Sequence, residues 1–508
     1  MTWTVDEQLE LSATQAVAAI RAGRLKAADY VATLLARAQA LENLNALTTL
    51  DVEGALAAAQ RIDTLGANER AHLPLAGLPV VVKDNINTRG LQTSAGTPAL
   101  EGFIPARHAP SVQRLVDAGA IVLGKANMHE LAFGITSTNL APHAGPVRNP
   151  WDPERIPGGS SGGTAAAIAA RIVPAGLGTD TGGSTRIPAA LCGIVGLRPS
   201  VGDGGTQRRY HDPHAVVPIS HTRDTVGPMA RSVADVALID GVITGHGPLA
   251  RAAVTNLRVG LPAPFWAGLE AATERVARAA LAKLEAAGVT LVPVEMSEVF
   301  ALNDRVSMAI ALHEPIEDLQ AWLAANHTGA RTVADVAARI ASPDVRAAYD
   351  AILADTRGGD YQTAMTVWRP RLQQLYAQTF AASGLDALLF PTTCLAAVRI
   401  DGVNGSSSVS IDGGAPVNEL EAYLRNTDPA SNAGIPGLAL PAGLTDGRTP
   451  GWTAGRTAGR TAGPTDGLTT GRLPVGLELD GPTGSDRRLL AIGLAFEEIL
   501  GTLPAPDI

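Results

Sequence analysis

The sequence has 508 residues, 46% hydrophobic and 18% charged, which is enough apolar material for a large core and excludes general disorder. A formal charge of -9 offers no attraction to a nucleic-acid backbone, and two cysteines, Cys192 and Cys394, are too few for a disulfide framework and too far apart for a metal-binding pair. Aromatic residues make up only 4% of the chain, so Ala, Leu, Val and Ile must build the core, while 54 glycines and 34 prolines imply many turns.

Acidic Asp6, Glu7 and Glu10 near the start argue against a secretory signal, and no uncharged apolar run reaches the roughly 20 residues needed to span a bilayer. The expectation is a soluble, cytoplasmic protein without membrane contact. Ser12 is placed to cap a helix over 13–22 that Gly23 ends, and apolar residues at helical spacing continue through ADYVATLLARAQALE. In LPLAGLPVVVKDNIN, the β-branched run Val80 to Val82 precedes polar Lys83, Asp84 and Asn85, as where a buried strand surfaces at its end. SVQRLVDAGAIVLGKANM reads as helix, turn at Gly119 and strand. GPMARSVADVALIDGVI reads as a helix, VTNLRVGLPAPFW as strand into loop, AATERVARAALAKLEAAG as a long helix and VTLVPVE as a strand. Residues 296–385 read as chiefly helical, and LDALLFPTT and IPGLALPAG as strands. This alternation predicts an α/β fold with a mixed central sheet surrounded by helices, in one large domain over 1–508 with 296–385 as a helical excursion. Residues 447–472, which contain TAGR twice and then TAGP, offer little apolar burial against the entropy of ordering and read as a flexible Gly/Thr-rich loop.

Two serine-bearing glycine turns carry the chemistry. In GTDTGGSTRIP, Gly182 and Gly183 leave backbone amides unobstructed beside the Ser184 hydroxyl, where they can hold the oxygen of a tetrahedral intermediate. A serine needs a proton acceptor, yet the chain has no GxSxG elbow, and none of its 10 histidines has the context of a base. PGGSSGG sets Ser160 and Ser161 between glycine pairs, 24 residues before Ser184 in the case of Ser160, and the intervening TAAAIAARI has the length for a helix that returns the chain. Taken alone, this serine pair is a helix cap and bend, with Ser161 capping. Lys83 on spacing alone is a solvated charge; buried and neutral, it can take a proton from Ser160 while Ser160 takes one from Ser184. Asp84 and Asn85 read as local stabilisers of the turn after the strand. His211 and His214 in HDPHAV lack the HExxH pattern and read as a polar loop, so no metal is expected.

VVVKDNI, PGGSSGG and GLGTDTGGSTRIPAALCG together resemble the signature of the amidase signature family of serine hydrolases, over about residues 10 to 500. The resemblance implies Lys83 as general base, Ser160 as a relay serine at a cis peptide, Ser184 as nucleophile, and the backbone of Thr181, Gly182, Gly183 and Ser184 as oxyanion hole. It gives Ser161, Asp180 and Arg186 supporting positions. HELAFGITSTN and YHDPHAVVPISHTRDTVGPMARS resemble bacterial members acting on small aryl or arylacetic amides, mandelamide and indoleacetamide hydrolases among them. The implied activity is hydrolysis of the C–N bond of a small primary carboxamide to carboxylate and ammonia through a Ser-Ser-Lys acyl-enzyme, with no cofactor. Ester or aryl-anilide hydrolysis and a glutamine-dependent tRNA amidotransferase subunit are the alternatives. Met128, Phe133 and Ile135 are candidates for either acyl pocket or core, and a homodimer is a further expectation without an identified interface.

Overall fold

The computed structural model describes residues 3–201, 212–447 and 471–508. The expected Gly/Thr-rich loop therefore falls almost wholly outside the described residues, as does His211. The strands are β1 Leu47–Leu50, β2 Pro79–Lys83, β3 Ile121–Ala126, β4 Ala175–Asp180, β5 Val195–Arg198, β6 Thr225–Ala230, β7 Arg258–Pro262, β8 Thr290–Val294 and β9 Ala387–Pro391, followed by β10 Ser408–Val409, β11 Val417–Asn418, β12 Gly437–Leu444 and β13 Pro474–Asp480. Among the described residues, all but β10 and β11 form a single mixed sheet of 11 strands in the order β1-β3-β2-β4-β6-β5-β12-β13-β9-β7-β8. β3, β2 and β4 run parallel, as do β9, β7 and β8, and an antiparallel stretch joins the two groups. Helices flank the sheet, so β2, β4, β6, β9 and β13 are buried at every position, and β2 and β9 are apolar runs rather than alternations.

Local signals account for several elements directly. Ser12 caps the helix Ala13–Arg21 by accepting from Gln15 N, and Gln15 returns the bond to the Ser12 backbone. The long helix expected after residue 270 spans Ala271–Ala286, and the region that follows β8 runs as helices from Val299–Asp304 to Arg369–Ser383. Two of them bury Trp322 and Tyr349 in a second apolar cluster that also takes in Met128 and Leu100. One element departs from the sequence reading: GPMARSVADVALIDGVI is not helical throughout, because residues 225–230 are strand β6 and the helix is Val233–Thr244. β6 lies between β4 and β5, and a Cβ on Gly227 would stand 2.1 Å from the Leu197 carbonyl oxygen, so a close sheet approach overrides the apolar periodicity. No described helix is long and apolar enough to cross a membrane.

This topology sets the site. Val82 pairs with Leu177, so Lys83 and Asp180 close two neighbouring parallel strands at the same edge, where open α/β sheets place their ligands. The helix Gly162–Ala169 connects PGGSSGG back to β4 and is buried along its whole length. A Cβ on Gly163 would meet the Asn127 and Ala46 carbonyl oxygens at 2.3 and 2.4 Å, so only glycine permits this close seating.

Candidate active site

Lys83 at the end of β2 is fully buried, and its Nζ lies 2.7 Å from Ser160 Oγ and 2.8 Å from Thr179 Oγ1. Burial pushes its pKa down to about 7 against the opposing pull of Asp180 and Asp224. The peptide bond between Gly159 and Ser160 is cis, and the Ser160 carbonyl accepts from His129 N at 3.2 Å and Ser137 Oγ at 3.3 Å. Ser161 N donates to the Ser184 carbonyl at 3.1 Å, which ties the two serine turns together. Ser161 occupies the cap position of the following helix, but its hydroxyl does not cap it. That hydroxyl instead donates to Thr179 O at 3.1 Å and accepts from Thr179 N at 3.2 Å, because β4 passes closer than the helix amides.

Ser184 is 5% exposed and sits in the turn after β4. Gly183 has φ of +149°, and a Cβ there would meet Thr427 Oγ1 at 2.3 Å; Thr427 Oγ1 also donates to the Gly182 carbonyl at 2.6 Å, fixing the loop. Gly182, Gly183 and Ser184 donate no backbone hydrogen bond among the described residues. Thr181 Oγ1 donates to Asp224 at 2.7 Å.

Beneath the loop lies a buried ionic network. Asp180 accepts from Thr185 N and Oγ1 at 3.1 and 2.9 Å, from Arg186 through both carboxylate oxygens, and from Arg198 Nη1 at 3.0 Å. Burial alone would raise its pKa, but the two guanidinium groups outweigh it and hold the carboxyl well below the usual range. Arg186 continues to Glu478 on β13 and to the Thr427 carbonyl at 2.9 Å, so this network joins the Ser184 turn to the far half of the sheet. Asp180→Ala, which leaves two buried guanidinium groups short of an acceptor, is expected to cost about 3–5 kcal/mol in urea unfolding at pH 7. A depressed carboxyl stabilises fully above its unfolded pKa of about 3.9, and the stabilisation is lost as pH falls from there through the lower folded value. The difference between the two proteins should therefore shrink only in acid.

Asp84 reaches past its own turn, accepting from Ser94 N, ten residues on, at 3.2 Å and pairing with buried Lys125 at 3.5 Å. Asn85 goes beyond a local role: its Nδ2 donates to Thr179 Oγ1 at 3.1 Å, the hydroxyl that also faces Lys83. Thr179 thus organises the amine, although its position within a buried strand carries no marker beyond its place in GTDTGG. His214 is exposed, and its N–H turns back to Asp212 at 2.9 Å.

Thr181, Gly182 and Ser184 form one wall of a cavity of about 50 Å³, with Phe133, Ile135, Ile219, Arg223, Met308, Leu424 and Asp428 among the others. Of the three acyl-pocket candidates, Phe133 and Ile135 line this space, whereas Met128 lies in the apolar cluster with Trp322. Ser307, Met308, Leu420, Leu424 and Asp428 also line a second cavity of about 530 Å³, so the small cavity adjoins a larger chamber. Met308, Leu420, Leu424 and Asp428, by contrast, come from segments that carry no local motif. His221, Glu314 and Asp318 present ligand atoms within 4.8 Å of one another, as a metal trio would. Glu314, however, accepts from Thr222 N at 3.1 Å and Tyr361 OH at 2.8 Å, and His221 Nδ1 lies 3.0 Å from Asp318, so the cluster fastens the loop bearing Ile219 and Arg223 to the helix Pro315–Asn326.

Residues 29–490 match the family model described as Amidase. The chain is 40% identical to a mandelamide hydrolase of Pseudomonas putida, over 98% of this chain and 93% of that protein. It is 42% identical to an indoleacetamide hydrolase of Agrobacterium vitis, over 96% and 97%. A crystal structure of an amidase superposes with a TM-score of 0.79 at 32% identity, covering 97% of this chain and all of that one. A likeness sustained over nearly the full length of both partners, in sequence and in fold, makes this chain a member of the amidase family.

Proposed function

We propose that the protein hydrolyses primary carboxamides bearing an aryl or arylacetic acyl group, releasing ammonia and the carboxylate. The observation that carries this reading is the buried Lys83 amine, 2.7 Å from Ser160 Oγ and lowered by burial to a pKa of about 7, beside a serine turn bonded directly to the one that presents Ser184 to the cavity. Ser184 Oγ attacks the carbonyl carbon as its proton passes to Ser160 and the Ser160 proton passes to Lys83. The backbone amides of Thr181, Gly182, Gly183 and Ser184 receive the developing oxyanion. The proton returns through Ser160 to the amide nitrogen, the C–N bond breaks and ammonia leaves. Water then attacks the acyl-Ser184 ester through the same relay and frees the carboxylate. Asp180, Arg186 and Ser161 hold the two turns in register.

The acyl class rests on the apolar lining contributed by Phe133, Ile135, Ile219 and Leu424 and on the names of the two relatives, which act on mandelamide and indoleacetamide. A cytoplasmic location belongs to the same reading, supported by two buried cysteines that remain unpaired. The test is ammonia release from phenylacetamide, indoleacetamide and acetamide, beside hydrolysis of the matching phenylacetate esters. The arylacetic amides should exceed acetamide in kcat/KM by at least about 100-fold, the gain expected from burying a ring. Parity with acetamide would overturn the acyl class, and ester cleavage without ammonia release would overturn amide hydrolysis.

A further inference from the structure

We propose that Arg223 determines acyl specificity by receiving an uncharged oxygen acceptor, a hydroxyl or carbonyl borne by the acyl group close to the scissile carbon; this rests on the amide-hydrolysis reading above. Arg223 is only 4% exposed, yet it lines the cavity of Ser184, whose other walls are largely apolar. Its Nη1 donates to Asp428 Oδ1 at 3.1 Å and to Asn432 Oδ1 at 3.0 Å. Its buried Nε has no acceptor among the described residues. A buried guanidinium nitrogen with an unfilled N–H is costly unless something else supplies the oxygen, and in this cavity that role falls to the substrate.

Charge and position narrow the class. Asp428 neutralises Arg223 and is itself held by Asn303 Nδ2 at 2.9 Å and Asn432 Nδ2 at 3.0 Å. A carboxylate on the acyl group would meet the Asp428 charge beside the guanidinium, so a neutral acceptor fits the pair better. Asp428 Oδ1 lies 3.0 Å from the point where a Cβ on Gly182 would stand, which sets the pair against the loop that carries Ser184. Arg223 and Ser184 line the same cavity, so an oxygen received by Arg223 belongs to the acyl group whose carbon Ser184 attacks. Sites built to hydrogen-bond a substrate oxygen reject the analogue lacking it far more strongly than apolar pockets sort by size.

The experiment measures kcat/KM for 2-hydroxy-2-phenylacetamide, phenylacetamide and the amide carrying a carboxylate in place of the hydroxyl, in the wild type, Arg223→Met and Asp428→Asn. The wild type should favour the hydroxy amide over phenylacetamide by about 10-fold or more, and Arg223→Met should bring that ratio to about 1. Asp428→Asn leaves the guanidinium charge unbalanced and should raise the carboxylate amide relative to phenylacetamide by about 10-fold. A merely structural Arg223 would lower all three rates together and leave the ratios alone. A wild-type ratio near 1, or a ratio unchanged in folded Arg223→Met, overturns the assignment. Should Arg223→Met not fold, the wild-type ratio and the Asp428→Asn shift decide it, and absence of either is sufficient to overturn it. Hydrolysis of phenylacetamide with flat ratios sinks this assignment alone, whereas no ammonia from any of the three sinks the amide-hydrolysis reading and this one with it.

Discussion

Replacing Ser184 by alanine is expected to lower kcat on the best amide by at least about 10⁴-fold, since the nucleophile of a covalent mechanism has no substitute in the cavity. The change should be nearly silent for the fold. Ser184 Oγ makes no hydrogen bond among the described residues, and its loop is held by the Thr427 hydroxyl, by Ser161 N and by the Asp180–Arg186 pair beneath. Stability in urea should therefore stay within about 1 kcal/mol of the wild type. Oxyanion donors and substrate binding remain in the variant, so a small residual rate over water is expected. The decisive measurement is single-turnover acylation followed by mass spectrometry. Wild-type enzyme should carry the acyl group on the peptide containing Ser184, and Ser184→Ala should carry none; a folded variant that still acylates at Ser160 would move the nucleophile to the other turn.

Replacing Lys83 by arginine should cost about 10³-fold or more in kcat/KM, because a guanidinium keeps its proton at every accessible pH and cannot serve as base. In the wild type, kcat/KM should rise with pH and level off above about 7, the value to which burial lowers Lys83. Lys83→Arg should lack that step. The same shift enters stability with a definite sign. Between about pH 7 and 10.4 the unfolded chain binds a proton at Lys83 that the folded chain does not, so this group makes stability rise with pH across that window. Buried Lys125, lowered to about 8, acts in the same direction over a narrower range. Urea unfolding at pH 7 and 9 should show the rise, and Lys83→Met should reduce its slope. An activity profile that levels off near pH 10 would mean that Lys83 is not the base.

Legibility differed by element. β2 was readable because three consecutive β-branched residues end abruptly at polar ones, and the Ala13–Arg21 helix because Ser12 and Gln15 form a local capping pair. β6 was misread because strands and helices buried on every side both appear as apolar runs, and periodicity cannot separate them. Ser161 was misplaced for a related reason. A serine before a helix has a ready local acceptor role, and only the passage of β4 beside it offers the competing bonds to Thr179.

The sequence by itself determined the chemistry on offer: a lysine at a strand end, two serines in glycine turns, and glycines at positions where a Cβ would strike neighbouring atoms. Those features are legible locally because turn geometry depends on residues a few positions apart, whereas the atoms a glycine Cβ would strike, Asn127 for Gly163 and Thr427 for Gly183, come from distant segments. Tertiary structure alone decided whether they act together. The depressed Lys83 pKa requires complete burial, which β2 acquires only between β3 and β4, and the ties from Arg186 to Glu478 and from Arg223 to Asp428 cross hundreds of residues. Burial and long-range charge pairing are properties of what packs around a side chain, and no spacing within the chain encodes them.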